Sequence, residues 1–237
     1  MPPFIGNTIR GALGYALRDI SVDAYENVFK TAPDVSKPNP YTISASYPSK
    51  GTYEKGDDLN FYISLFGSAC HFLTETIAAL DCMCKGRLEN AICHSKRLEY
   101  DRVWSDNGAD SIPYCDDLTV KFLTPAEILS SKEPVDKLSF SSFIDSLFGR
   151  ISGLIDNYTD RQFIVPYSLV ADKPYVRAEH TLKEITLKTS GQPIHSFIGT
   201  VRYYGDVTRY LPYIDLGSQT HIGKKTTRAC GEYTFTI

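Results

Sequence analysis

Residues 139–158 read SFSSFIDSLFGRISGLIDNY and carry the clearest secondary-structure signal in the chain. The apolar side chains recur at the spacing of one helical face: Phe143, Ile144, Leu147, Ile151 and Leu154. That period predicts an amphipathic α-helix with one buried face. The segments on either side of the helix then indicate what it packs against.

The residues around this helix alternate in the manner of β-strands. One strand is predicted over residues 116–128, and two more over 180–190 and 195–206, joined by a Ser-Gly-Gln-Pro turn. A short helix over 207–214 and a final alternating stretch, CGEYTFTI, complete the chain. This order is βαββαβ, the ferredoxin-like arrangement.

The first half of the chain gives the same order in a shorter form. A helix capped by Asn7 is followed by strands over 41–46 and 58–67, a helix over 71–83 and an extended segment over 91–104. Because the helical period begins almost at the first residue, we expect this copy to lack its opening strand; the alternatives are that this sequence omits the strand or that a distant segment replaces it. The repeat lies in the order of elements and not in identical residues.

We therefore predict the fold class α+β, with tandem ferredoxin-like (RRM-like, βαββαβ) domains, the first lacking its first strand. Residues 1–108 would form the N-terminal ferredoxin-like domain, and residues 109–237 the C-terminal ferredoxin-like domain with a glycine-rich loop. A chain of 237 residues is long enough to bury a core in each half.

The composition excludes some classes of function. A formal net charge of −3 argues against a protein that coats nucleic acid indiscriminately, but it leaves room for a local basic groove. No apolar run approaches the length of a membrane span, and no basic-then-apolar leader opens the chain. We expect a soluble, cytoplasmic protein with no membrane partner.

One group of cysteines raises the question of a metal site. Cys82, Cys84, Cys93 and His94 lie close together, but their spacing lacks the paired knuckles of a zinc site. The alternative is that these cysteines are reduced and buried as small apolar residues. We favour that alternative and predict no metal and no cofactor.

Residues 217–235, GSQTHIGKKTTRACGEYTF, form a glycine-rich, basic connection before the last strand. Glycine lets backbone N–H groups approach an anion closely, and cations and hydroxyls could bind phosphate or sugar. The alternative is a flexible surface loop with solvated lysines. A nucleotide P-loop does not fit, because the G-x-x-x-x-G-K-[ST] register is missing.

Several stretches, in this order, resemble the CRISPR precursor-RNA processing endoribonucleases of the RAMP superfamily. They are FIGNTIRGALGYALRD, KPNPYTIS, DDLNFYISLFGSACHFLTETIAAL, LTVKFLTPAEI, GRISGLIDNYTDRQ, FIGTVRYYGD and HIGKKTTRACGEYTF. Together they span most of the chain. Their order and spacing, with the glycine-rich segment at the end, make the resemblance more specific than any single stretch.

The resemblance implies a pair of RRM-related domains that bind a CRISPR repeat in precursor crRNA and cut it without a metal. In that family the ribose 2′-OH attacks the adjacent phosphorus and leaves 2′,3′-cyclic phosphate and 5′-OH ends. Such chemistry needs a base, an acid and a cation near the phosphorane. Partners would be repeat RNA and other CRISPR effector or adaptation proteins.

This chain departs from the family pattern at two positions. Many relatives carry a histidine where GALGYAL has Tyr15, and a tyrosine is a poor base near neutral pH. The family also tends to end its last motif with Gly-x-Gly, where this chain has Ala229-Cys230-Gly231. A second hypothesis is therefore a catalytically inactive crRNA-binding subunit of an effector complex. A third, a globular domain unconnected to RNA, would leave the basic loop unexplained.

The candidate catalytic residues are His221, Tyr15 and Lys224. For His221, neighbouring positive charge is expected to lower the pKa and keep a neutral base. The candidate RNA-binding residues are Arg10, Arg18, Arg161, Gly223, Lys225, Thr226, Thr227, Arg228 and Gly231. The alternative for Arg10 and Arg18 is surface pairing with Asp19 or Asp23.

The remaining histidines are interpreted as structural: His71, His94, His180 and His195. Of the adjacent pair Tyr203 and Tyr204, at most one is expected to stack on a base, because neighbouring strand residues face opposite ways.

Overall fold

A computed structural model describes residues 4–30, 37–50, 52–85, 88, 112–130, 133–134, 137–171, 174–187 and 193–237. The first half begins with helix α1 (Gly6–Ile20), the short helix α2 (Val22–Ala24) and a π-helical turn (Tyr25–Phe29). Strands β1 (Tyr41–Ala45) and β2 (Phe61–Leu65) follow, and a 3₁₀ turn (Gly67–Phe72) leads into helix α3 (Leu73–Lys85).

The second half contains the predicted βαββαβ order. Its elements are strands β3 (Asp117–Ala126), β4 (Leu129–Ser130) and β5 (Glu133–Pro134), helices α4 (Phe140–Tyr158) and α5 (Tyr167–Ala171), strands β6 (Arg177–His180), β7 (Lys183–Leu187) and β8 (Ile194–Tyr204), helix α6 (Leu211–Thr220) and strand β9 (Tyr233–Thr236). One 3₁₀ turn, Thr208–Tyr210, directly precedes α6, and another, Thr226–Arg228, lies in the loop between α6 and β9.

The second half forms an antiparallel sheet in the order β6–β8–β3–β9, with β7 paired to the other end of β8. Strands β6 and β7 together occupy the place of one edge strand. Counted that way, the sheet has the four-strand order of a ferredoxin-like domain, with the first and third strands at its centre. In the first half β1 and β2 pair antiparallel, and α1 packs against α3. The α+β prediction of tandem ferredoxin-like domains is confirmed.

The edge strand predicted over 180–190 is observed as β7, and β6 precedes it along the same edge of β8; residues 188–190 lie outside the described residues. Thr181 lies between β6 and β7, and its N–H donates to the carbonyl of Thr200 at 2.8 Å. Gly199, opposite this point, has φ 130, and a Cβ there would lie 2.3 Å from the carbonyl oxygen of Thr181. Both strands keep one register against β8, from Arg177 opposite Tyr204 to Leu187 opposite Ile194, so the break between them inserts no extra residue. Only a glycine at 199 allows this close approach of the two backbones.

Two helix boundaries differ from the sequence prediction. Helix α1 begins at Gly6 and not after Asn7, and its N-cap Ile5 makes no side-chain hydrogen bond. Helix α6 continues to Thr220, beyond the predicted end at 214, and includes Gly217. A Cβ at Gly217 would lie 2.1 Å from Leu147 Cδ1, so the glycine allows α6 to pack closely on α4.

Each half has its own apolar core. The larger surrounds the apolar face of α4 and the inner face of the second sheet, and the smaller lies between α1, α3 and β1. Ala229, from the last loop, packs in the smaller core although it belongs to the second half of the chain. The predicted strand over 91–104 and the boundary at 108/109 lie outside the described residues, and the boundary remains a prediction.

Candidate functional site

The loop from Ile222 to Gly231 folds back on itself and onto the end of β3. The N–H of Ile222 donates to the carbonyl of Gly231 at 2.9 Å, and the N–H of Gly231 donates to the carbonyl of Pro125 at 2.9 Å. Gly231 has φ 76, and a Cβ at that position would lie 1.9 Å from the carbonyl oxygen of Ile222. Backbone packing within the protein therefore requires glycine at 231.

Gly223 serves a similar purpose. It has φ 77, and a Cβ there would lie 2.4 Å from the carbonyl oxygen of Glu127. The next N–H, of Lys224, donates to that same carbonyl at 2.9 Å. The sequence suggested that the glycines expose amides to an anion, but the amides of Gly231 and Lys224 donate to the protein's own carbonyls. Both glycines shape the loop, and a role of Gly223 and Gly231 in RNA binding remains a prediction.

The two lysines of the loop have different surroundings. The side chain of Lys224 is exposed, whereas Lys225 Nζ lies 2.7 Å from Glu127 Oε2. Thr226 and Thr227 are buried, and Arg228 is half-buried. Of the three cations of this loop, Lys224, which the sequence assigned to catalysis, is the exposed one, whereas Lys225 and Arg228, assigned to RNA binding, are half-buried.

The first half of the chain docks onto this loop through α1. A Cβ at Gly6 would lie 2.1 Å from the carbonyl oxygen of Arg228, so the helix approaches the loop backbone directly. Arg10 Nε donates to Thr227 Oγ1 at 3.3 Å, and its guanidinium lies 4.5 Å from the centre of the Phe29 ring. Arg10 therefore joins the two halves of the chain.

Tyr15 and Arg18 lie on the outward face of α1. Both are exposed, Tyr15 to 51 % of its surface, and they follow Thr8 and Gly11 along one stripe of the helix. Nothing lies within 4 Å of a Cβ built on Gly11. Arg161 is exposed in the turn after α4, and the described contacts do not bring it to the loop.

His221 lies between α6 and the loop in an unusual backbone conformation. Its φ of 59 and ψ of 168 fall in a region that is essentially reserved for glycine. Holding another residue there costs about 1–3 kcal/mol. The side chain is only 2 % exposed, and Nε2 lies 3.1 Å from Ser44 Oγ on β1.

The pKa of His221 falls to about 3, mainly because burial disfavours the imidazolium and secondly because the Arg150 guanidinium is near. The sequence analysis expected a lowered pKa for His221, and that direction was right. The expected cause was wrong, because burial and Arg150 lower this pKa and not the neighbouring Lys224 or Lys225.

Arg150 is a residue that sequence reasoning missed. It is 7 % exposed; Nε donates to the carbonyl of Thr220 at 3.2 Å, and Nη1 donates to the carbonyl of Asn39 at 3.3 Å. Thr220 is the last residue of α6, and the negative end of the helix dipole at that point stabilises a nearby cation such as Arg150. A signal was available, because position 150 falls on the apolar stripe of α4, where an arginine is out of place.

The other candidates of the sequence take ordinary structural positions. Tyr203 is fully buried, while the Tyr204 ring lies 4.8 Å from the Arg177 guanidinium and 5.0 Å from that of Arg202. His195 is exposed on β8. Cys82 lies on α3 and is half-buried, whereas Cys93 and His94 lie outside the described residues.

Two absences hold for the part of the chain that the structure describes. It contains no group of three His, Cys, Asp or Glu side chains arranged to hold a metal ion. None of its helices combines the length and the apolar character needed to cross a lipid bilayer.

The class of protein follows from the arrangement as a whole. Two ferredoxin-like halves, joined through a glycine-rich loop that precedes the last strand, are the architecture of RAMP proteins. The family models agree. Residues 1–119, just over half of the chain, match the model AF_1859_N, an N-terminal domain, so the chain belongs to that family. Residues 120–233 match the model of the CRISPR-associated endoribonuclease Cas6. The resemblance to RAMP-type CRISPR endoribonucleases is confirmed.

Solved structures with the same fold cover nearly all of both chains. A product complex of Cas6 (TTHB231), a Thermus thermophilus protein, has a TM-score of 0.64 at 13 % identity and covers 100 % of this chain and 95 % of its own. A Cas6-related protein from Pyrococcus furiosus has a TM-score of 0.54 at 13 % identity, with coverages of 100 % and 92 %. A RAMP protein that binds different RNA substrates has a TM-score of 0.52 at 16 % identity, with coverages of 100 % and 94 %. No curated protein sequence matches the chain.

Proposed function

We propose that this protein binds CRISPR repeat RNA and cuts precursor crRNA without a metal ion. The match of residues 120–233 to the Cas6 model is the observation that carries the proposal, since it supports CRISPR RNA binding and processing by an endoribonuclease. In the proposed reaction the 2′-OH releases its proton to solvent and attacks the neighbouring phosphorus, the bond to the 5′ oxygen breaks, and that oxygen takes up a proton, so that 2′,3′-cyclic phosphate and 5′-OH ends result. The protein would act in the cytoplasm, beside other CRISPR effector or adaptation proteins.

The proposed RNA path runs along the outward stripe of α1 and across the exposed part of the loop. Arg18 and Lys224 supply positive charge on the two sides, and both are exposed. Gly11, with open space in place of a Cβ, allows a sugar-phosphate strand to approach the helix backbone between Thr8 and Tyr15. Arg161, at the end of α4, would meet a more distant part of the RNA.

The proposed chemistry uses residues that a phosphate can reach. The phenol of Tyr15 is half-exposed and is proposed to hold the proton for the departing 5′ oxygen. Lys224 would stabilise the negative charge that develops on the phosphorane. Arg10, Thr226, Thr227 and Arg228 would support this site by holding the loop on α1.

The first prediction tests the reaction itself. The purified protein is incubated with the repeat RNA of its own locus in excess EDTA, beside a substrate with 2′-deoxyribose at the scissile position. We expect the first RNA to be cut to a 2′,3′-cyclic phosphate and the second to stay intact, because the attacking hydroxyl is missing. Cleavage that requires added divalent metal would contradict the mechanism.

The same assay separates the alternative function. Tyr15 in place of a histidine, together with the burial of His221, favours a binding subunit that does not cut. Tight, salt-sensitive binding without cleavage would select that function. If binding to the repeat shows no dependence on salt, both functions are wrong.

The second prediction uses the adjacent lysines of the loop as a matched pair. Lys224→Gln is expected to weaken RNA binding several-fold and to reduce the slope of log affinity against log salt by about 0.7, the value for one contact to a single strand. Lys225→Gln is expected to leave that slope nearly unchanged and to lower the free energy of unfolding by about 0.5–1 kcal/mol, because Glu127 loses its ion-pair partner. Equal effects of both changes on the salt slope would be inconsistent with this assignment.

A further inference from the structure

His221 is held where its side chain has no access to a bound substrate. The ring is almost fully buried, and Nε2 lies 3.1 Å from the Ser44 hydroxyl. A general base must come within hydrogen-bond reach of the proton that it removes, directly or through one water. The position therefore suits a structural bond better than proton abstraction from RNA.

The backbone of His221 is strained, and the contacts of its side chain must offset the free-energy cost of that strain. A glycine at 221 would adopt φ 59 and ψ 168 without a Cβ clash, but it would lose the contact with Ser44. Strained residues persist when their surroundings fix them, and they cluster at functional sites. At 221 the surroundings include both halves of the chain.

Ser44 extends this contact toward the last strand. Its hydroxyl also hydrogen-bonds to the carboxyl of Glu232, which partly offsets the rise in the pKa of Glu232 caused by burial. Glu232 directly follows Gly231, the residue at which the loop closes on Ile222. One serine of β1 thus contacts the residues on both sides of the loop.

Arg150 fixes the same region from α4. It joins the last carbonyl of α6 to the carbonyl of Asn39, two residues before β1. Nearby, the Tyr158 hydroxyl donates to the carbonyl of Pro38 at 2.8 Å. The segment that leads into β1 is therefore tied to α4 by two side chains.

We propose that His221, Ser44 and Arg150 are positioning residues that lock the glycine-rich loop to β1, and that His221 does not serve as the base. The proposal rests on the proposed function, because the lock serves to hold Lys224 at a fixed position relative to Tyr15. These two residues belong to different halves of the chain. A displacement of about 1 Å between catalytic groups can cost on the order of a hundredfold in rate.

The test compares two substitutions at one position. In His221→Gln the amide can still reach Ser44, but it cannot accept a proton as a base; His221→Ala removes both abilities. We expect His221→Ala to lower kcat for repeat RNA by tenfold or more with little change in KM, and His221→Gln to restore at least a third of the parent kcat. The pH–rate profile of the glutamine variant should keep the parent's shape. His195→Gln, on the exposed side of β8, is the matched control and should behave as the parent.

Two results would overturn the proposal. One is a folded His221→Gln variant as inactive as His221→Ala, with the acidic limb of the pH–rate profile lost, since that is the behaviour of a missing base. The other is a His221→Ala variant that cleaves at the parent rate.

A second measurement does not depend on cleavage. The unfolding equilibrium of the full chain is compared among His221→Ala, Ser44→Ala and the double variant. If the two residues act together, the unfolding constant of the double variant should be at least about fivefold smaller than the value obtained by multiplying the two single-variant effects. Additive effects would reject the lock. If the parent cuts no RNA, the proposed nuclease function fails, and this cycle still decides on the lock.

Discussion

The free energy of unfolding is expected to fall by about 1.4 kcal/mol for each unit by which the pH is lowered between about 6 and 4, through His221 alone. The pKa of this imidazole is about 3 in the folded protein, against an ordinary value of 6.5. Between those values the unfolded chain binds a proton that the folded chain does not. The stabilisation that comes from neutral His221 is therefore complete above pH 6.5 and is lost as the pH falls toward 3. The total loss from this residue has an upper limit of about 5 kcal/mol.

Other titratable groups contribute to the pH dependence with their own signs. Burial raises the pKa of Glu232, so that carboxyl opposes the effect of His221 when it is protonated at low pH. Hydrogen bonds lower the pKa values of Asp57 and Asp156, and these carboxylates lose stabilisation only as the pH falls below about 4. Arg150 keeps its charge throughout this range, since its pKa is about 10.

The measurement is a series of urea unfolding curves at pH 7, 6, 5 and 4.5 for the parent and for His221→Gln. The substitution should lower stability at pH 7 and flatten its dependence on pH, so that the two proteins converge in acid. His195→Gln should run parallel to the parent, because that histidine is exposed. A glutamine variant whose curve runs parallel to that of the parent at every pH would show that His221 is not held neutral by burial.

The second large effect is expected from two glycines of α1. Gly6→Ala should lower the free energy of unfolding by about 3 kcal/mol, because the new methyl group meets the carbonyl of Arg228 and the helix or the loop must move. Gly11→Ala should raise it by about 0.5–1 kcal/mol, because the methyl group has open space and alanine favours the helix.

The two variants are compared with Gly149→Ala, on the exposed side of α4. Nothing lies within 4 Å of a Cβ at that position either. One turn earlier on the same helix face lies Asp145, which is acidic. Gly149→Ala should be as stabilising as Gly11→Ala and should leave RNA binding unchanged, whereas Gly11→Ala should weaken it by covering the bare helix backbone. A stabilising Gly6→Ala would mean that α1 does not dock on the loop as described.

Local patterns predicted much of this fold because α4, β3 and β8 each bury one face. The stripe of α4 and the alternation of β3 and β8 could be read directly, and their order implied the sheet. The end of α6 could not be read, because Gly217 usually argues against a helix and only the contact with Leu147 explains it.

The site was predicted less completely, for a physical reason. Lysines, glycines and threonines of the loop stand together in the sequence, so their shared location was evident. Their partners are distant: Glu127 for Lys225, Ser44 for His221, and α1 for Arg228. Local charge suggested an open anion site, while these long-range contacts turn most of the loop inward and leave Lys224 exposed.

The seating of Ala229 in the smaller core has a consequence for how the molecule holds together. The first half does not complete its core alone, because Ala229 comes from near the other end of the chain. The protein should thus melt as one cooperative body, although its sequence repeats one topology twice.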